Sequence, residues 1–311
     1  MLVRCSRTIV AACVLATVAA ISTARASDDE FTYRTTVDEV RLTLIATDRQ
    51  HHYVNDLAPS ELAIVDNEVI VRKFRSFTRA PEVHLNVLVL IDASDSVSDH
   101  RKHETATVLE SIRSANWSSS DSVSVLTFGT GTSQLTCIRN CASEHSTAPP
   151  TPPRGVAVSP LYDSIVYGAS ILSQTRSNDS KSILIVFSDG NDNYSAHALP
   201  DALDSLQRID ATAYSVDLNG RRSSSTGTSA LKRLAGVTGG LTLSIDDGPA
   251  PILESVLDDL RSAYVLTYVP PVQSQGPHAV QVFPTRNLGL SFRSRQGYIY
   301  NRVSEEARAT R

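Results

Sequence analysis

Three continuous apolar runs, at residues 85–91, 183–187 and 211–216, constrain the fold of this chain more than any other feature. A strand that is buried on both faces of a parallel sheet has this pattern, because helices cover both of its faces. Segments with apolar residues at helical spacing separate the runs. We therefore predict a doubly wound, mostly parallel α/β sheet.

The segments between and after the runs carry apolar stripes that predict helices packed against the sheet. The second stripe follows Ser159 and Pro160, where serine is a favourable N-cap and proline suits the first helical position. The stripes consist of Val108, Leu109, Ile112 and Ala115; Leu161, Ile165, Ala169 and Leu172; Leu199, Ala202, Leu203, Leu206 and Ile209; Leu231 and Leu234; and Ile252, Leu253, Val256, Leu257 and Leu260.

Short segments with strand-like patterns flank this region on both sides. Before it, alternating apolar and polar residues predict strands, and after it short apolar segments are separated by proline and glycine turns. We predict four parts: a signal peptide (1–26), an N-terminal β-rich segment (27–82), an α/β domain (83–262) and a C-terminal β-rich segment (263–311). Whether the two β-rich segments form one module is left open.

The N-terminus has the pattern of a secretory signal peptide. Arg4 and Arg7 precede an apolar run at residues 9–21, and Ala24-Arg25-Ala26 is a small-x-small cleavage pattern. We expect a secreted or periplasmic protein with no transmembrane segment in the mature chain. The alternative is a lipoprotein anchored at Cys13, although most of the apolar run would then lie on the wrong side of the anchor.

Two further features restrict the partners and the redox state. The chain has 29 Lys and Arg residues against 33 Asp and Glu residues, a formal net charge of −4, so we expect no nucleic-acid partner. Removal of the signal peptide leaves Cys137 and Cys141, which we expect to form a disulfide if residues 138–140 make a turn. Zinc is disfavoured, because two thiolates lack two further ligands nearby.

Carboxylate and hydroxyl side chains follow two of the apolar runs at the point where each predicted strand ends. Asp92, Ser94 and Ser96 come directly after the first run, and Asp189 follows the second. Ser159 stands at the start of the helix between them. Ligands bind at the carboxyl ends of the strands in doubly wound sheets, and oxygen atoms are the ligands of hard cations. We predict that these five residues form one metal site.

Local structural roles remain open for each of these residues. Asp92 and the serines after it are also suited to a turn that caps the next helix, and Ser159 to an N-cap. Asp95 and Asp192 add negative charge nearby, which would raise the affinity for a cation, bind a second ion, or simply be solvated.

Taken together, these motifs resemble the metal-ion-dependent adhesion site of von Willebrand factor A domains. The match consists of Asp-x-Ser-x-Ser from Asp92, a hydroxyl at Ser159 and an Asp-Gly pair at Asp189, and it covers about residues 83–262. The family's threonine is Ser159 here, which loses the β-branch that restricts χ1.

The resemblance extends to bacterial secreted proteins related to von Willebrand factor A and then covers nearly the whole mature chain. The turn Asp66-Asn67-Glu68 lacks the glycine that is usual in these proteins, although asparagine tolerates positive φ. The matching segments are Ala46-Thr47-Asp48, Phe74-Arg75-Ser76-Phe77, Ser159-Pro160-Leu161-Tyr162-Asp163-Ser164, His278-Ala279-Val280 and Arg295-Gln296-Gly297-Tyr298.

The resemblance implies a function in binding. In the family, hydroxyls contact the ion directly and carboxylates act largely through water, which suits Mg²⁺, with Mn²⁺ or Ca²⁺ as alternatives. The implied function is an exported, metal-dependent adhesion module that captures a carboxylate on a protein, extracellular matrix or envelope ligand. The sequence has no G-x-S-x-G, P-loop or H-E-x-x-H motif, so we expect that the protein is not an enzyme. A metal-dependent hydrolase or phosphotransferase, and a structural envelope protein with a vestigial site, are the alternatives.

Overall fold

The computed structural model describes residues 39–79, 84–94, 99–141, 158–175, 180–221 and 225–300. The described residues belong to one unit, Asp38–Arg311. The predicted signal peptide, the alternative anchor at Cys13, and Asp95 and Ser96 lie outside the described residues. Within the described ranges, none of the helices is both long and apolar enough to span a membrane.

The elements alternate between strands and helices in the middle of the chain and are strands at both ends. The strands are β1 (Val40–Thr47), β2 (Leu62–Asp66), β3 (Val69–Ile70), β4 (Ser76–Arg79), β5 (His84–Asp92), β6 (Ser122–Gly129), β7 (Thr132–Arg139), β8 (Ser180–Ser188), β9 (Thr212–Asp217), β10 (Thr242–Ser244), β11 (Tyr264–Tyr268), β12 (Gly276–Pro284), β13 (Ser291–Ser294) and β14 (Gly297–Tyr300). The α-helices are α1 (Asp99–Ser114), α2 (Leu161–Gln174), α3 (Leu199–Arg208), α4 (Thr226–Thr238) and α5 (Pro249–Arg261).

The central sheet has the strand order β10-β9-β8-β5-β6-β7. Its neighbouring strands are parallel, except that β7 runs antiparallel to β6. Alternate side chains of β5 point to opposite faces. Val89 and Ile91 pack in a cluster that includes α1 and α5, whereas Leu88 and Leu90 pack in a cluster that includes α2, α3 and α4. Helices therefore cover both faces, and the predicted fold class is confirmed.

Each of the five apolar stripes lies on a helix and faces the sheet, except that Ala115 and Ile209 directly follow the last residues of α1 and α3. Ile112, Ile165, Leu206 and Leu234 are buried on the first four helices, as is Val256 on α5. The predicted start of α2 is wrong, however. The helix begins one residue later than expected and its N-cap is a proline that makes no side-chain capping bond.

Strands β6 and β7 were not predicted. In β6, Ser122, Ser124 and Thr127 interrupt the apolar residues, so this strand lacks the continuous run of its neighbours. Strand β7 is an edge strand with many polar residues. Polar residues are tolerated there because one side of an edge strand has no neighbour.

Cys137 and Cys141 are joined by a disulfide with a Cα–Cα distance of 5.8 Å. The expected turn over residues 138–140 is replaced by two local features. The pairing of β6 and β7 shifts register at Ile138, which forms a bulge, and Asn140 has a left-handed φ of 46°. Together they shorten the path between the cysteines without a full turn.

The strands at the two ends of the chain pair with one another, and we call β1–β4 and β11–β14 the β-module. Its sheets have the orders β13-β1-β11-β4 and β14-β12-β2-β3, and each holds strands from both β-rich segments. Leu42 pairs with Leu266 in the first sheet, and Ile64 pairs with Val282 in the second. The side chains of the two sheets share one apolar core.

A buried carboxylate ties the core of the β-module together. Asp66 is fully buried, and its Oδ2 accepts hydrogen bonds from the hydroxyls of Tyr298 at 2.7 Å and Tyr268 at 3.0 Å. Its Oδ1 lies 3.0 Å from Nδ1 of His278, whose Nε2 is 2.8 Å from the carbonyl oxygen of Ser274. Burial, followed by the charge of Asp66, raises the pKa of Tyr268. The carboxylate therefore links β2, β11, β12 and β14.

A second buried carboxylate joins the β-module to the central sheet. Asp259 on α5 accepts hydrogen bonds from the hydroxyls of Tyr214 at 2.7 Å and Tyr53 at 3.1 Å, and it pairs with Arg293. Burial, followed by the charge of Asp259, raises the pKa of Tyr53 to about 12. Arg295 adds an ion pair with Asp210, which precedes β9. These contacts lie at the amino ends of the parallel strands, opposite the predicted metal site.

We predict that Asp66→Ala lowers the free energy of unfolding by about 3–5 kcal/mol, because it leaves a buried histidine and two hydroxyls without their acceptor. Glu254→Ala, which removes an exposed carboxylate on α5, should change it by less than about 0.5 kcal/mol. Urea denaturation of the two variants measures both values. Equal effects would contradict the structural role of Asp66.

Candidate metal centre

The predicted site residues that the structure describes meet at the carboxyl ends of β5 and β8. Asp92 ends β5, Ser94 lies two residues beyond it, Ser159 precedes α2 and Asp189 directly follows β8. All four are buried, with exposed fractions of 1%, 1%, 2% and 7%, respectively. The fifth predicted ligand, Ser96, lies outside the described residues.

The carboxylate of Asp92 is the centre of the cluster. Its Oδ2 accepts hydrogen bonds from the hydroxyls of Ser188 at 2.8 Å and Ser159 at 3.1 Å. Its Oδ1 accepts a bond from the backbone amide of Ser94 at 2.9 Å. Residues that are 67 and 96 positions away along the chain therefore converge on one carboxyl group.

The hydroxyl of Ser159 points into the cluster and not along the helix. It donates to Asp92, whereas an N-cap hydroxyl would accept a bond from a helix amide. The backbone around it is fixed by Asn193, whose Oδ1 accepts from the Ser159 amide at 2.8 Å and whose own amide donates to the Ser159 carbonyl at 3.3 Å. These two bonds hold the backbone of Ser159 in place. Ser159 lacks the β-branch by which a threonine would restrict its own side chain.

The electrostatics of the cluster favour a cation. Burial is the main cause that raises the pKa of Asp92, and the nearby charge of Asp189 raises it further. Hydrogen bonds from Ser94 and Ser188 act in the opposite direction. A cation between the two carboxylates would offset both the loss of solvation and their mutual repulsion.

Asp189 is held in place beside Asp92 by its own turn. Its two carboxylate oxygens accept bonds from the backbone and side-chain nitrogens of Asn191 at 2.9 and 3.0 Å, and Asn219 donates to its carbonyl at 2.8 Å. The start of α4 packs against this turn so closely that a Cβ on Gly227 would lie 2.3 Å from the Asp189 carbonyl oxygen. A glycine is therefore required at that position.

Asp192 has a structural role in the described residues. Its Oδ2 accepts bonds from the amide of Tyr162 in the first turn of α2 at 2.8 Å and from the hydroxyl of Ser195 at 2.5 Å. Its Oδ1 accepts from the amides of Tyr194 and Ser195 at 3.2 and 3.0 Å. These bonds fasten the loop after β8 to the start of α2 and occupy both oxygens of the carboxylate.

Ser188 is a site residue that sequence reasoning missed. It is fully buried, its hydroxyl donates to Asp92, and the same oxygen accepts a bond from the amide of Gly190 at 3.0 Å. The signal was present, because Ser188 is the polar end of an otherwise apolar run.

The donor set fits a small hard cation. It contains two carboxylates and several hydroxyls, all oxygen atoms, which suits Mg²⁺, Mn²⁺ or Ca²⁺ better than a softer metal. Across the described ranges, no group of three or more His, Cys, Asp or Glu side chains is arranged to hold a metal. A site at Asp92 therefore depends on serine hydroxyls for its remaining ligands.

No protein-family model matches the sequence, and no curated protein matches it. Among solved structures, a von Willebrand factor type A protein from Catenulispora acidiphila is similar at 11% identity, over 90% of this chain and 78% of that one, with a TM-score of 0.42. The ArnB paralog VWA2 from Sulfolobus acidocaldarius is similar at 13% identity, over 87% of this chain and 78% of that one, with a TM-score of 0.39.

A third similar structure is proximal thread matrix protein 1 from the mussel byssus, in which zinc occupies a MIDAS motif. It is 15% identical over 57% of this chain, with a TM-score of 0.40, and the match spans 48% of the mussel protein, about half of its length. Since all three TM-scores lie below 0.5, the fold class rests on the strand order and helix layers described above.

We predict that Gly227→Ala lowers the free energy of unfolding by about 1–3 kcal/mol. The added methyl group would overlap with backbone atoms of the turn at Asp189, and backbone atoms cannot move away as easily as the end of a flexible side chain. Gly236→Ala is the matched control in the same helix. It has no atom within 4 Å of the added carbon and should raise the value by about 0.5–1 kcal/mol. Urea denaturation distinguishes these opposite signs, and a harmless Gly227→Ala would contradict the close packing at Asp189.

Proposed function

We propose that this protein is an exported adhesion module of the von Willebrand factor A class, which uses a divalent cation to bind an acidic group on a partner. The observation that carries the proposal is the convergence of the Ser159 and Ser188 hydroxyls on the buried carboxylate of Asp92. Export rests on the signal-peptide pattern of the first 26 residues.

The proposed ligands are Asp92, Ser94, Ser159 and Asp189, together with Ser96. One divalent ion, Mg²⁺ or alternatively Mn²⁺ or Ca²⁺, would supply electrostatic attraction for a carboxylate from outside. Because neutral hydroxyls make up most of the set, the ligands leave part of the positive charge uncompensated, and Mg²⁺ commonly keeps positions for ligands beyond the protein. A partner's aspartate or glutamate side chain has the charge and donor type to fill such a position.

The protein's own side chains have distinct tasks in this proposal. Asp92 orients the two hydroxyls that donate to it, and Asn193 fixes the backbone of Ser159. Asn191 and Asn219 hold the turn that carries Asp189. The site is thus built before a ligand arrives, which reduces the entropy lost on binding.

Catalysis is not part of the proposal. The hydrogen bonds described for the hydroxyls of Ser159 and Ser188 lead to Asp92, and no histidine takes part in them. A serine nucleophile needs a base that accepts its proton at a pKa near neutrality. A buried carboxylate that already accepts several hydrogen bonds is better suited to orienting ligands.

The proposal predicts metal-dependent retention on carboxylates. Purified protein is passed over immobilised peptides that carry glutamate or aspartate, and over matched peptides that carry glutamine or asparagine. Retention is expected only on the acidic peptides, in Mg²⁺ and not in EDTA. Asp92→Ala should abolish it, and Ser188→Ala should lower the apparent Mg²⁺ affinity by roughly 10–100-fold, because it removes a partner that orients a ligand.

Asp204→Ala is the control, because it removes an exposed carboxylate on α3 outside the cluster. It should leave retention unchanged, and circular dichroism should show that all variants are folded. Retention that survives both EDTA and Asp92→Ala would overturn the proposal. Metal-dependent hydrolysis of a phosphoester or peptide that requires Asp189 would favour the enzymatic alternative.

A further inference from the structure

The disulfide between Cys137 and Cys141 lies at the end of the edge strand β7, and its two cysteines differ in their access to solvent. Cys137 is exposed, whereas Cys141 is half-buried. A thiol from solution reduces a disulfide by direct attack on one of its sulfur atoms, and the rate depends on access to that sulfur. The sulfur of Cys137 is therefore the more open to attack.

The backbone around the disulfide is held by contacts that do not involve sulfur. The side-chain nitrogen of Asn140 donates to the carbonyl oxygens of Ser119 at 2.7 Å and Asp121 at 3.0 Å. The pairing of β7 with β6 continues through Cys137 and Arg139. When the bond between the sulfur atoms is broken, these contacts still keep the two cysteines close to each other.

The cross-link closes a very short loop, because the two cysteines are only 4 positions apart along the chain. In the chain-entropy model, a disulfide stabilises a protein by restricting the unfolded chain, and a short loop restricts it less than a long one does. The loss of this disulfide should therefore leave the protein folded.

The surroundings of Cys141 favour its sulfur as the leaving group. The hydroxyl of Ser124, a buried residue, donates to the Sγ atom of Cys141 at 3.3 Å. A hydrogen bond to the sulfur stabilises the negative charge that develops on it when the disulfide breaks. The same sulfur lies 3.2 Å from the carbonyl oxygen of Val123, which accepts a hydrogen bond from the thiol once it is protonated.

We propose that the Cys137–Cys141 disulfide is a reversible exchange site for small thiols. The thiolate of an external thiol attacks the sulfur of Cys137 and forms a mixed disulfide, while the sulfur of Cys141 leaves as a thiolate and takes up a proton. A second external thiol attacks the external sulfur of the mixed disulfide and releases Cys137 as a thiol. Two external thiols thus become one external disulfide, and the protein disulfide becomes two thiols. The reverse reaction with an external disulfide restores the cross-link.

The rate of reduction by dithiothreitol tests whether the folded protein reacts. The rate is followed on the unaltered protein by alkylation of the released thiols and mass spectrometry. It should rise in proportion to the dithiothreitol concentration and stay constant in urea below the unfolding transition. With glutathione in place of dithiothreitol, the mixed disulfide trapped by acid should carry glutathione on Cys137.

Two serine variants test the leaving group. Ser124→Ala should slow the reduction by roughly 3–10-fold, because the sulfur of Cys141 loses its hydrogen-bond donor. Ser133→Ala is the matched control on β7. It removes a buried hydroxyl that has no hydrogen-bond partner among the described residues, so it should leave the rate unchanged.

A rate that rises steeply in dilute urea would overturn the proposal, because the protein would then have to unfold before it reacts. Equal rates in Ser124→Ala and the unaltered protein would also overturn it, as would glutathione on Cys141 in the mixed disulfide. The reduced protein should keep its circular dichroism spectrum, and loss of that spectrum would contradict a local exchange. None of these readouts involves a divalent cation, so the outcome is independent of the proposed adhesion function.

Discussion

The burial of Asp92 is the constraint on which the candidate site depends. A carboxylate that is removed from water at the end of a central strand must be compensated by donors, and two serine hydroxyls and a backbone amide perform that task. The donors come from three different segments, so the site forms only when the sheet and the loops at its edge are in place. The same burial raises the pKa of Asp92 and favours a cation nearby.

The two ends of the strands in the central sheet carry different sets of contacts. At the amino ends of the strands, Asp259 and Arg295 bind the β-module to the α/β domain. At the carboxyl ends, the loops after β5 and β8 carry the polar cluster. The described contacts between the β-module and the α/β domain lie at the amino ends, so they are separated from the polar cluster by the length of the strands.

Much of this architecture could be predicted from the sequence, because continuous apolar runs and apolar residues at helical spacing indicate which side chains are buried. The class of the sheet, the five helices and the convergence of Asp92 with Ser159 follow from such patterns. Strand β6 was missed because serine and threonine occupy part of its length, and β7 because an edge strand does not need an apolar pattern. The local backbone geometry could not be predicted either. A bulge at Ile138 brings the two cysteines together, where the sequence suggested a turn.

The direction of individual side chains was the least predictable feature. Ser159 has the sequence pattern of an N-cap, yet its hydroxyl is directed at a carboxylate 67 residues away. The sequence left Asp192 as an aid to cation binding, a ligand of a second ion or a solvated charge, whereas its oxygens bind the loop after β8 to the start of α2. The direction of each side chain depends on which hydrogen-bond partner lies closest in the folded protein, and residue spacing in the sequence does not give that information.

The most direct measurement of the central claim is anomalous diffraction from crystals grown with Mn²⁺, a cation that binds to oxygen ligands and can be located by its own signal. The account predicts one strong peak within about 2–2.5 Å of the hydroxyl oxygens of Ser94 and Ser159 and close to Asp92. Crystals that show no peak there, with the hydroxyls of Ser159 and Ser188 still donating to the Asp92 carboxylate, would contradict it.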